Sequence, residues 1–374
     1  MKALFIAGGT ILGLLLGLWP QGLSAPKPTW WRALAVVANL VLVLLVFGVP
    51  TGGDFNAARL VSMNRGDNAE MSIMGTVVKA PPNEQSTLEL RDAYGEEEDI
   101  VLEGDIFAGE EHGFVPGDRV ILKARYDKRE SAFFARQILS VNPIVTIPLN
   151  AQLEDQARNL YFHVPAAWVA TLAWFVAAWF GLQYLRKRTP ESDIIASRTA
   201  AAGLLFCVLA TVTGSFWARL QWGEFWSFDP RQVSIFATLV IFGAYFALRS
   251  ALGEEELRRR VSSVYLLLLA LPIVYFVFVY PRTEAGLHPG SMGSGSTGPV
   301  LSTDTDSLNP VKQLIFGLSM FSISLMFFWI VNVTVRTALA RLRMDRVRIR
   351  SEEQDRFARG PRLQALDDSN GTTQ

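Results

Sequence analysis

The stretch YFHVPAAWVATLAWFVAAWFGLQYLRKR, residues 161–188, carries the pattern on which the fold depends. Between His163 and the closing Arg186-Lys-Arg188 it contains no charged residue, and roughly 20 apolar residues are enough for a helix to cross a bilayer. Basic residues that flank a span favour the cytoplasmic side of a membrane. The stretch therefore predicts a transmembrane helix that starts near a histidine at the outer face and ends in the cytoplasm.

The rest of the chain has the composition of a polytopic membrane protein. Of its 374 residues 50% are hydrophobic, and its mean hydropathy is +0.24. Besides the span at 165–185, further apolar stretches approach or reach spanning length at about 4–19, 33–50, 200–218, 233–249, 262–280 and 313–335. The first is short and Gly-rich like a signal peptide, but Pro26 favours its retention. The predicted fold is all-α, with six core transmembrane helices (the first within 31–50) plus an N-terminal hydrophobic helix within 1–25.

Basic residues also predict the orientation of the later spans. Alternation of the spans places three basic clusters on the same, cytoplasmic side: Arg186, Lys187, Arg188 and Arg198; Arg249, Arg258, Arg259 and Arg260; Arg336, Arg341, Arg343, Arg346, Arg348 and Arg350. The loops 219–232 and 281–312 then fall on the opposite side. His163, His288 and the aromatic segment 222–229 are therefore all expected outside the cytoplasm.

A long soluble stretch, 55–150, is inserted between the first core span and the next. It contains four segments that alternate apolar and polar residues as half-buried strands do, at 71–78, 86–91, 118–126 and 133–139. Four or five short strands in this length predict a small β-barrel of the oligonucleotide-binding (OB) kind on the extracytoplasmic side. The later spans are assigned to one membrane domain at 160–340, and the polar tail 351–374 is predicted to be disordered.

Cysteine and histidine are scarce enough in this chain to be informative. The single cysteine, Cys207, lies in an apolar run, so disulfides and cysteine-ligated iron–sulfur clusters within the chain are excluded. His163 and His288 lie at span ends, where each taken alone is more simply an interfacial or loop histidine. Two neutral imidazoles on one side of the membrane, without a cysteine or carboxylate cluster, nevertheless suit a bis-histidine haem better than tetrahedral zinc.

The segment Trp222-Gly-Glu-Phe-Trp-Ser-Phe-Asp229 is the second candidate feature. Aromatic residues at a span end can serve as simple interfacial anchors. Here four of them are packed within seven positions, at Trp222, Phe225, Trp226 and Phe228, and Gly223 allows close approach of the backbone. This arrangement favours a binding surface for a flat macrocycle.

Charged residues follow the aromatic segment directly. Asp229 is predicted to cap the next helix, with Pro230 at its first position. Arg231 is a candidate partner for a haem propionate, because guanidinium groups match carboxylates, and Arg219 and Arg282 are alternatives. Contact with lipid headgroups would explain each arginine equally well.

Three separate motifs of this chain resemble the haem-handling proteins of cytochrome c biogenesis, most closely the CcmC branch. They are FHVPAAW at a span start (162–168), WGEFWSFD between two spans (222–229) and LHPG in the next outer loop (287–290). The resemblance covers about 33–50 and 160–340. It implies that His163 and His288 are axial ligands, and that Trp222, Gly223, Trp226 and Asp229 belong to the tryptophan-rich (WWD) haem-binding motif.

The same resemblance implies a cofactor and partners. The cofactor would be non-covalent haem b, delivered to a haem chaperone of the CcmE type and indirectly to apocytochrome c. Further implied partners are ABC-transporter subunits and a small membrane subunit of the same pathway. A nucleic-acid partner is not expected.

The chain departs from the family in several places. Phe228 stands where the motif usually has a third tryptophan, and Asp229-Pro230 is more similar to the CcsA and CcmF branches. The insertion 55–150 is foreign to ordinary short CcmC proteins and resembles the barrel of CcmE, which attaches haem covalently through a histidine. His112 is the only candidate for such an attachment, but it precedes a predicted strand and lacks the expected tyrosine context. A surface-turn histidine is the expectation there.

The sequence thus predicts a non-enzymatic haem carrier of the bacterial inner membrane, with the haem site and the barrel on the periplasmic side. One alternative is a cytochrome b-type oxidoreductase, although such proteins commonly pair more histidines within the bilayer. A second is a membrane-anchored envelope interaction protein, which would hold no haem. A third is a CcsA- or CcmF-like protein that assists haem ligation itself, which would need more histidines and spans.

Overall fold

The computed structural model describes residues 2–53, 55–65, 69–79, 87–92, 99–107, 114–144, 146–148, 158–288, 291–292 and 310–370. Its helices are α1 (Lys2–Leu18), α2 (Thr29–Val43), α3 (Phe55–Arg65), α4 (Leu160–Lys187), α5 (Pro190–Trp222), α6 (Pro230–Ala251), α7 (Glu255–Leu268), α8 (Ala270–Val274), α9 (Tyr280–Thr283) and α10 (Pro310–Asn370). Its strands are β1 (Thr51–Gly52), β2 (Glu70–Lys79), β3 (Thr87–Asp92), β4 (Ile100–Glu103), β5 (Arg119–Asp127), β6 (Ala132–Val141) and β7 (Ile147–Pro148). His112 lies outside the described residues.

The described chain has six helical stretches that are long and apolar enough to cross a membrane. They are Thr29–Gly48, Leu160–Lys187, Pro190–Trp222, Pro230–Ala251, Glu255–Thr283 and Lys312–Gln354. These stretches confirm the predicted fold class of six core spans. We call the side on which the barrel joins α2 and α4 the barrel side, and the side on which α10 leaves the membrane the tail side.

The fifth span is not one regular helix. It breaks at Leu269, between α7 and α8, and residues 275–279 form a π-helical turn before α9. Such turns are frequent at functional sites. Here the turn lies just before the loop that carries His288.

The first helix is too short to be counted with the six spans, and it packs along α10. Gly9, Gly13 and Gly17 recur every four residues and therefore share one helix face. A Cβ atom at Gly9 would lie 2.3 Å from the carbonyl oxygen of Gly317, and one at Gly13 would lie 2.6 Å from Cβ of Ser324. Small residues of this kind allow helices to approach closely within a membrane.

A buried ion cluster joins α5, α6 and α7 on the tail side. The Asp193 carboxylate is only 6% exposed and accepts two hydrogen bonds from Arg249, at 2.7 and 3.0 Å. Arg259 approaches the same carboxylate at 3.8 Å. Since an unpaired buried charge costs about 3–5 kcal/mol, this cluster ties the tail-side ends of three helices together.

The insertion forms a closed barrel in which β2, β3, β4, β6 and β5 are neighbours in that order. Neighbouring strands are antiparallel except β4 and β6, which are parallel, with Leu102 opposite Phe133. The result confirms the predicted small OB-like barrel. The short strand β4 is the element that the alternation pattern does not single out, because only four residues of it, Ile100–Glu103, are in the sheet.

The tail differs from its prediction. The helix α10 continues to Asn370, whereas the sequence predicts disorder from residue 351. Few apolar residues exclude a packed core but not a single helix, and Arg, Leu, Ala and Glu, which have high helix propensity, dominate residues 336–357. This reason does not extend to the end of α10, which contains Gly360 and Pro361. Arg348 and Glu352 also form an ion pair at spacing i, i+4, with 3.7 Å between the charged atoms.

Candidate functional site

The centre of the candidate site is a carboxylate–imidazole pair between Asp229 and His288. Nδ1 of His288 lies 2.9 Å from Oδ1 of Asp229, although 59 positions separate the two residues. The Asp229 side chain is fully buried and that of His288 is 21% exposed. The pair connects the start of α6 to the loop that follows α9.

Asp229 performs two structural tasks at once. Its Oδ1 accepts the backbone N–H of Arg231 at 2.9 Å, which makes it the cap of α6 that the sequence predicts. Its Oδ2 accepts the backbone N–H of Leu287 at 2.7 Å, next to His288 itself. Burial acts to raise the pKa of Asp229, but the hydrogen bonds from His288 and from the two backbone amides outweigh burial and lower that pKa to about 2. Asp229 is therefore a carboxylate at neutral pH.

The loop around His288 is folded tightly onto this carboxylate. The backbone N–H of Ser291 donates to the carbonyl of His288 at 3.1 Å, and that of Met292 donates to the carbonyl of Glu284 at 3.0 Å. A Cβ atom at Gly286 would lie 2.8 Å from Oδ2 of Asp229, so only glycine fits there without displacement. The histidine ring is thus fixed from both the loop and the helix cap.

Trp222 completes the surroundings of His288. It is the last residue of α5, and its ring meets the imidazole edge-on, with 4.8 Å between the ring centroids and 71° between the planes. The structure thus brings together three of the residues singled out in the sequence, Trp222, Asp229 and His288.

His163 lies in the first turns of α4 and packs against α5. Its Nδ1 is 3.0 Å from Oγ1 of Thr213, and a Cβ atom at Gly214 would lie 2.7 Å from Cε1 of the ring. The Thr213 hydroxyl donates to the carbonyl of Leu209 at 2.7 Å. It therefore accepts from His163, so that Nδ1 carries the proton and the lone pair of Nε2 is left for a ligand.

His163 is also near His288 and Arg231. His163 interacts electrostatically with both His288 and Arg231, which places the three side chains within reach of one another's charges. The start of α4 therefore lies near the loop that follows α9.

The aromatic loop, residues 223–229, presents its rings to the outside. Gly223 ends α5 with a φ of +82°, and Arg219 donates a hydrogen bond to its carbonyl. Phe228 has a φ of +56°, which is rare for a bulky residue, and its side chain is 78% exposed. A conformation of this kind costs on the order of 1–3 kcal/mol and persists only where surrounding contacts impose it.

Gln232 supplies those contacts. Its Oε1 accepts from the backbone N–H of Ser227 at 2.9 Å, and its Nε2 donates to the carbonyl of Phe225 at 3.2 Å. Trp226 packs edge-on against Phe236 of α6, with ring centroids 6.0 Å apart. The loop is therefore held in a defined shape, with Phe225 and Phe228 left exposed.

The three arginines that are candidate propionate partners differ in the contacts that their guanidinium groups already make. Arg219 is turned toward the aromatic loop and lies over the ring of Phe225, 5.7 Å from its centroid. Arg282 donates to the carbonyl of Phe278 within its own helical segment. Nε of Arg231 is buried and has no hydrogen-bond partner within the part of the chain that the structure describes.

Thr213, Gly214, Gln232 and Gly286 are the supporting residues that sequence reasoning does not find. Their partners are distant in sequence or lie across a loop, so that no local pattern marks them. A glycine close to a span end is the one available signal, and it is too common to be specific. The described residues also contain no group of three or more His, Cys, Asp or Glu side chains that could hold a metal ion by themselves.

Comparisons with known proteins match the membrane part of the chain. A profile of the family described as "CcmC: Heme exporter protein C" matches residues 131–350, more than half of the 374 residues. The match includes the spans from α4 to α10 and leaves out most of the barrel.

Individual relatives align over parts of their length. Heme exporter protein C of Bradyrhizobium diazoefficiens is 30% identical over 207 residues, which cover 54% of this chain and 73% of that protein. Heme exporter protein C of Escherichia coli K12 is 31% identical over 185 residues, 48% of this chain and 70% of that protein. A putative cytochrome c biosynthesis ccmC-like mitochondrial protein of Marchantia polymorpha is 32% identical over 131 residues, 34% of this chain and 55% of that protein. The chain therefore spans little more than half the length of the last of these.

Proposed function

Because this chain belongs to the heme exporter protein C family, we propose that it binds haem on the barrel side of the membrane and passes it on for cytochrome c maturation. The observation that carries this proposal is the buried Asp229–His288 pair, with 2.9 Å between Oδ1 and Nδ1. The relatives' printed name describes an exporter and not an enzyme, which supports a carrier role.

In this proposal His163 and His288 are the axial ligands of the iron. Ligating histidines almost always donate their other ring N–H to a carboxylate, carbonyl or similar acceptor, which fixes the tautomer and the ring orientation. Asp229 has this position for His288, and Thr213 has it for His163. Nε2 is then the ligating atom of both rings. Two neutral imidazole ligands of this kind suit non-covalent haem b.

The aromatic loop would cover one edge of the porphyrin. Phe225 and Phe228 are 52% and 78% exposed, so their faces are available to a flat apolar ring system. Trp222 lies edge-on to His288, in a position to border an iron ligand. Trp226 contributes indirectly, because it packs the loop against Phe236.

Arg231 is the best-placed partner for a propionate. Its buried Nε needs an acceptor that the described residues do not supply, and its charge interacts with those of Arg282 and Asp229. A propionate near Arg231 and Arg282 would satisfy both cations with charge-assisted hydrogen bonds. Arg219 is less suited, because its guanidinium already donates to Gly223.

We assign the site to the periplasmic side of a bacterial inner membrane, as the distribution of basic residues predicts. Two neutral ligands and exposed rings permit release, which a delivery protein needs. The recipient would be a haem chaperone of the CcmE type, and through it apocytochrome c. ABC-transporter subunits and a small membrane subunit are the further partners proposed.

Haem content tests this function directly. The purified full-length protein, the double variant His163→Ala/His288→Ala and the control variant His112→Ala should be compared by absorption spectroscopy after loading with haem. The control changes the third histidine of the chain. We expect wild-type occupancy in the control and loss of bound haem in the double variant. Unchanged haem content in the double variant would refute the proposal.

The role in maturation needs a separate measurement. Deleting the gene in its host should remove covalent haem from c-type cytochromes, and the intact gene should restore it. Normal cytochrome levels in the deletion strain would instead favour a membrane-anchored interaction protein without a haem role.

A further inference from the structure

The barrel is attached to the membrane spans through the short parallel pair β1–β7. Thr51 of β1 lies opposite Ile147 of β7, and β7 also packs against α10. Thr51 follows the end of the first span, Gly48, by three residues, a distance of at most about 10 Å in extended chain. This pair therefore marks the membrane-proximal end of the barrel.

A group of exposed apolar side chains surrounds the same end. Ile144 is 97% exposed, Val115 60%, Val141 44% and Leu139 40%. We call these four residues the apolar rim. The other large apolar side chains that are exposed in the described part of the domain are Met63 and Val101.

The rim residues come from two separate segments of the chain, which hydrogen bonds hold together. The carboxylate of Asp118 accepts the backbone N–H of Val115 at 2.8 Å and the side-chain amide of Asn142 at 2.9 Å. Asn142 in turn accepts the backbone N–H of Arg119 at 2.9 Å. Val115 is thereby tied to the chain that runs from Val141 to Ile144.

The rim faces the membrane end and not the far end of the barrel. Ile144 precedes Ile147 by three residues, again at most about 10 Å. The hairpin between β5 and β6, at 128–131, lies at the opposite end of the ten-residue strand β6, roughly 30 Å away at 3.3 Å per residue. The exposed apolar side chains of the rim thus lie close to the ends of the spans, at the level of the bilayer surface.

We propose that the apolar rim inserts into the boundary between lipid headgroups and acyl chains, so that the barrel lies on the bilayer that its own spans cross. Apolar side chains bind at this boundary in proportion to the area that they bury. Docking at this end holds the barrel upright beside the barrel-side site. The inference is independent of the proposed function, since it needs neither haem nor an acceptor protein.

Thiol alkylation in reconstituted vesicles tests the proposal. The native thiol is first removed by Cys207→Ala, and single cysteines are then introduced by Ile144→Cys and, as the matched control, Val101→Cys. Val101 lies on β4, whose partner residues on β6 are near the far hairpin. From exposure in the protein alone, residue 144 at 97% should react faster than residue 101 at 52% with a water-soluble maleimide. Docking on lipid reverses this order.

A lipid-borne quencher identifies what covers the rim. In vesicles with few protein copies, an environment-sensitive dye on residue 144 should lose emission when lipids carry a nitroxide just below the headgroup, and the dye on residue 101 should not. Fast alkylation at 144 would overturn the proposal. So would protection at 144 without nitroxide quenching, because that result means that protein and not lipid covers the rim.

Discussion

At the scale of single residues, the proposed haem binding depends on how two imidazoles are held. Each uses Nδ1 for a contact inside the protein, at 2.9 Å to Asp229 for His288 and at 3.0 Å to Thr213 for His163. The ring orientation and the tautomer are therefore set before any ligand arrives. Preorganisation of this kind reduces the entropy that binding must remove.

Changing Asp229 to Asn separates its electrostatic role from its capping role. Asparagine caps a helix as well as aspartate does, so that α6 keeps its start. The oxygen that caps α6 also accepts from His288, so an asparagine that keeps the cap turns its NH2 group toward the backbone N–H of Leu287. The loop around His288 then loses its hydrogen bond to the cap, and the His288 N–H faces a neutral oxygen in place of a carboxylate. We expect haem affinity to fall about 10–100-fold, the usual range for a lost ligand-orienting group.

A haem titration of Asp229→Asn measures this, with Asp99→Asn on the barrel as the control. Asp99 pairs with exposed Arg91 at 2.9 Å, far from the site in sequence. The thermal midpoint of both variants should remain close to that of the wild type. Equal haem affinity in Asp229→Asn and the wild type would remove Asp229 from the site.

A substitution at Gly214 tests the position of the His163 ring by steric contact alone, without a change of charge. The added methyl group of Gly214→Ala would lie 2.7 Å from Cε1 of His163 and would push the ring off its position. The matched control is Gly243→Ala on α6, where an added Cβ meets nothing within 4 Å. We expect haem affinity about tenfold lower for Gly214→Ala and unchanged for Gly243→Ala. Equal affinities in the two variants would show that His163 is not held there for binding.

Local sequence patterns single out the proposed ligands more readily than the residues that hold them. His163, His288 and the capping role of Asp229 follow from local patterns, because a span end or an N-cap can be recognised within a few positions. The bond between Asp229 and His288 spans 59 positions and that between His163 and Thr213 spans 50, so neither has a local signature. Only the packed helices bring these partners together.

At the scale of elements, the contact between α1 and α10 depends on glycines. Gly9→Ala would place a Cβ atom 2.3 Å from the carbonyl of Gly317, whereas at the neighbouring Gly8 a Cβ atom meets nothing within 4 Å. Overpacking usually costs about 1–3 kcal/mol. Thermal unfolding of the detergent-solubilised protein should therefore show a lower midpoint for Gly9→Ala and an equal or higher one for Gly8→Ala. Indistinguishable thermal midpoints for the two variants would mean that α1 does not pack closely against α10.

The long elements of this fold are predictable, and the short or interrupted ones are not. Uninterrupted apolar runs predict every core span, because a bilayer demands a minimum length of apolar helix. The four-residue strand β4 escapes prediction, since its few residues carry too little pattern. The break at Leu269 has a local cause within an otherwise apolar run, because Pro272 has no N–H to donate to the carbonyl of Leu268. The first turns of the helical tail escape prediction for the opposite reason, because helix propensity and the Arg348–Glu352 ion pair can stabilise a helix without an apolar core.

At the scale of the whole molecule, the membrane site and the barrel are built from separate parts of the chain. Every candidate site residue lies between 158 and 292, and the family match starts at 131. The paired strands β1 and β7 bring both ends of the insertion together, with Thr51 opposite Ile147. The barrel can thus be removed without separating the spans that it connects.

Replacing residues 55–145 with a Gly/Ser linker of about 12 residues, enough to join parallel strands, should leave haem binding intact. The measurement is the haem spectrum and affinity of the shortened protein in detergent, compared with those of the full chain. Loss of haem from a shortened protein that keeps its helical content would show that the barrel contributes directly to the site.

The spin state of the bound iron tests the proposed ligation by His163 and His288 most closely. Electron paramagnetic resonance of the ferric, haem-loaded protein should show a low-spin signal, because two imidazoles complete six-coordination. His163→Ala and His288→Ala should each convert it to a high-spin signal, and added imidazole should restore the low-spin form. A low-spin signal that persists in either single variant would contradict the assignment of these two histidines as the axial ligands.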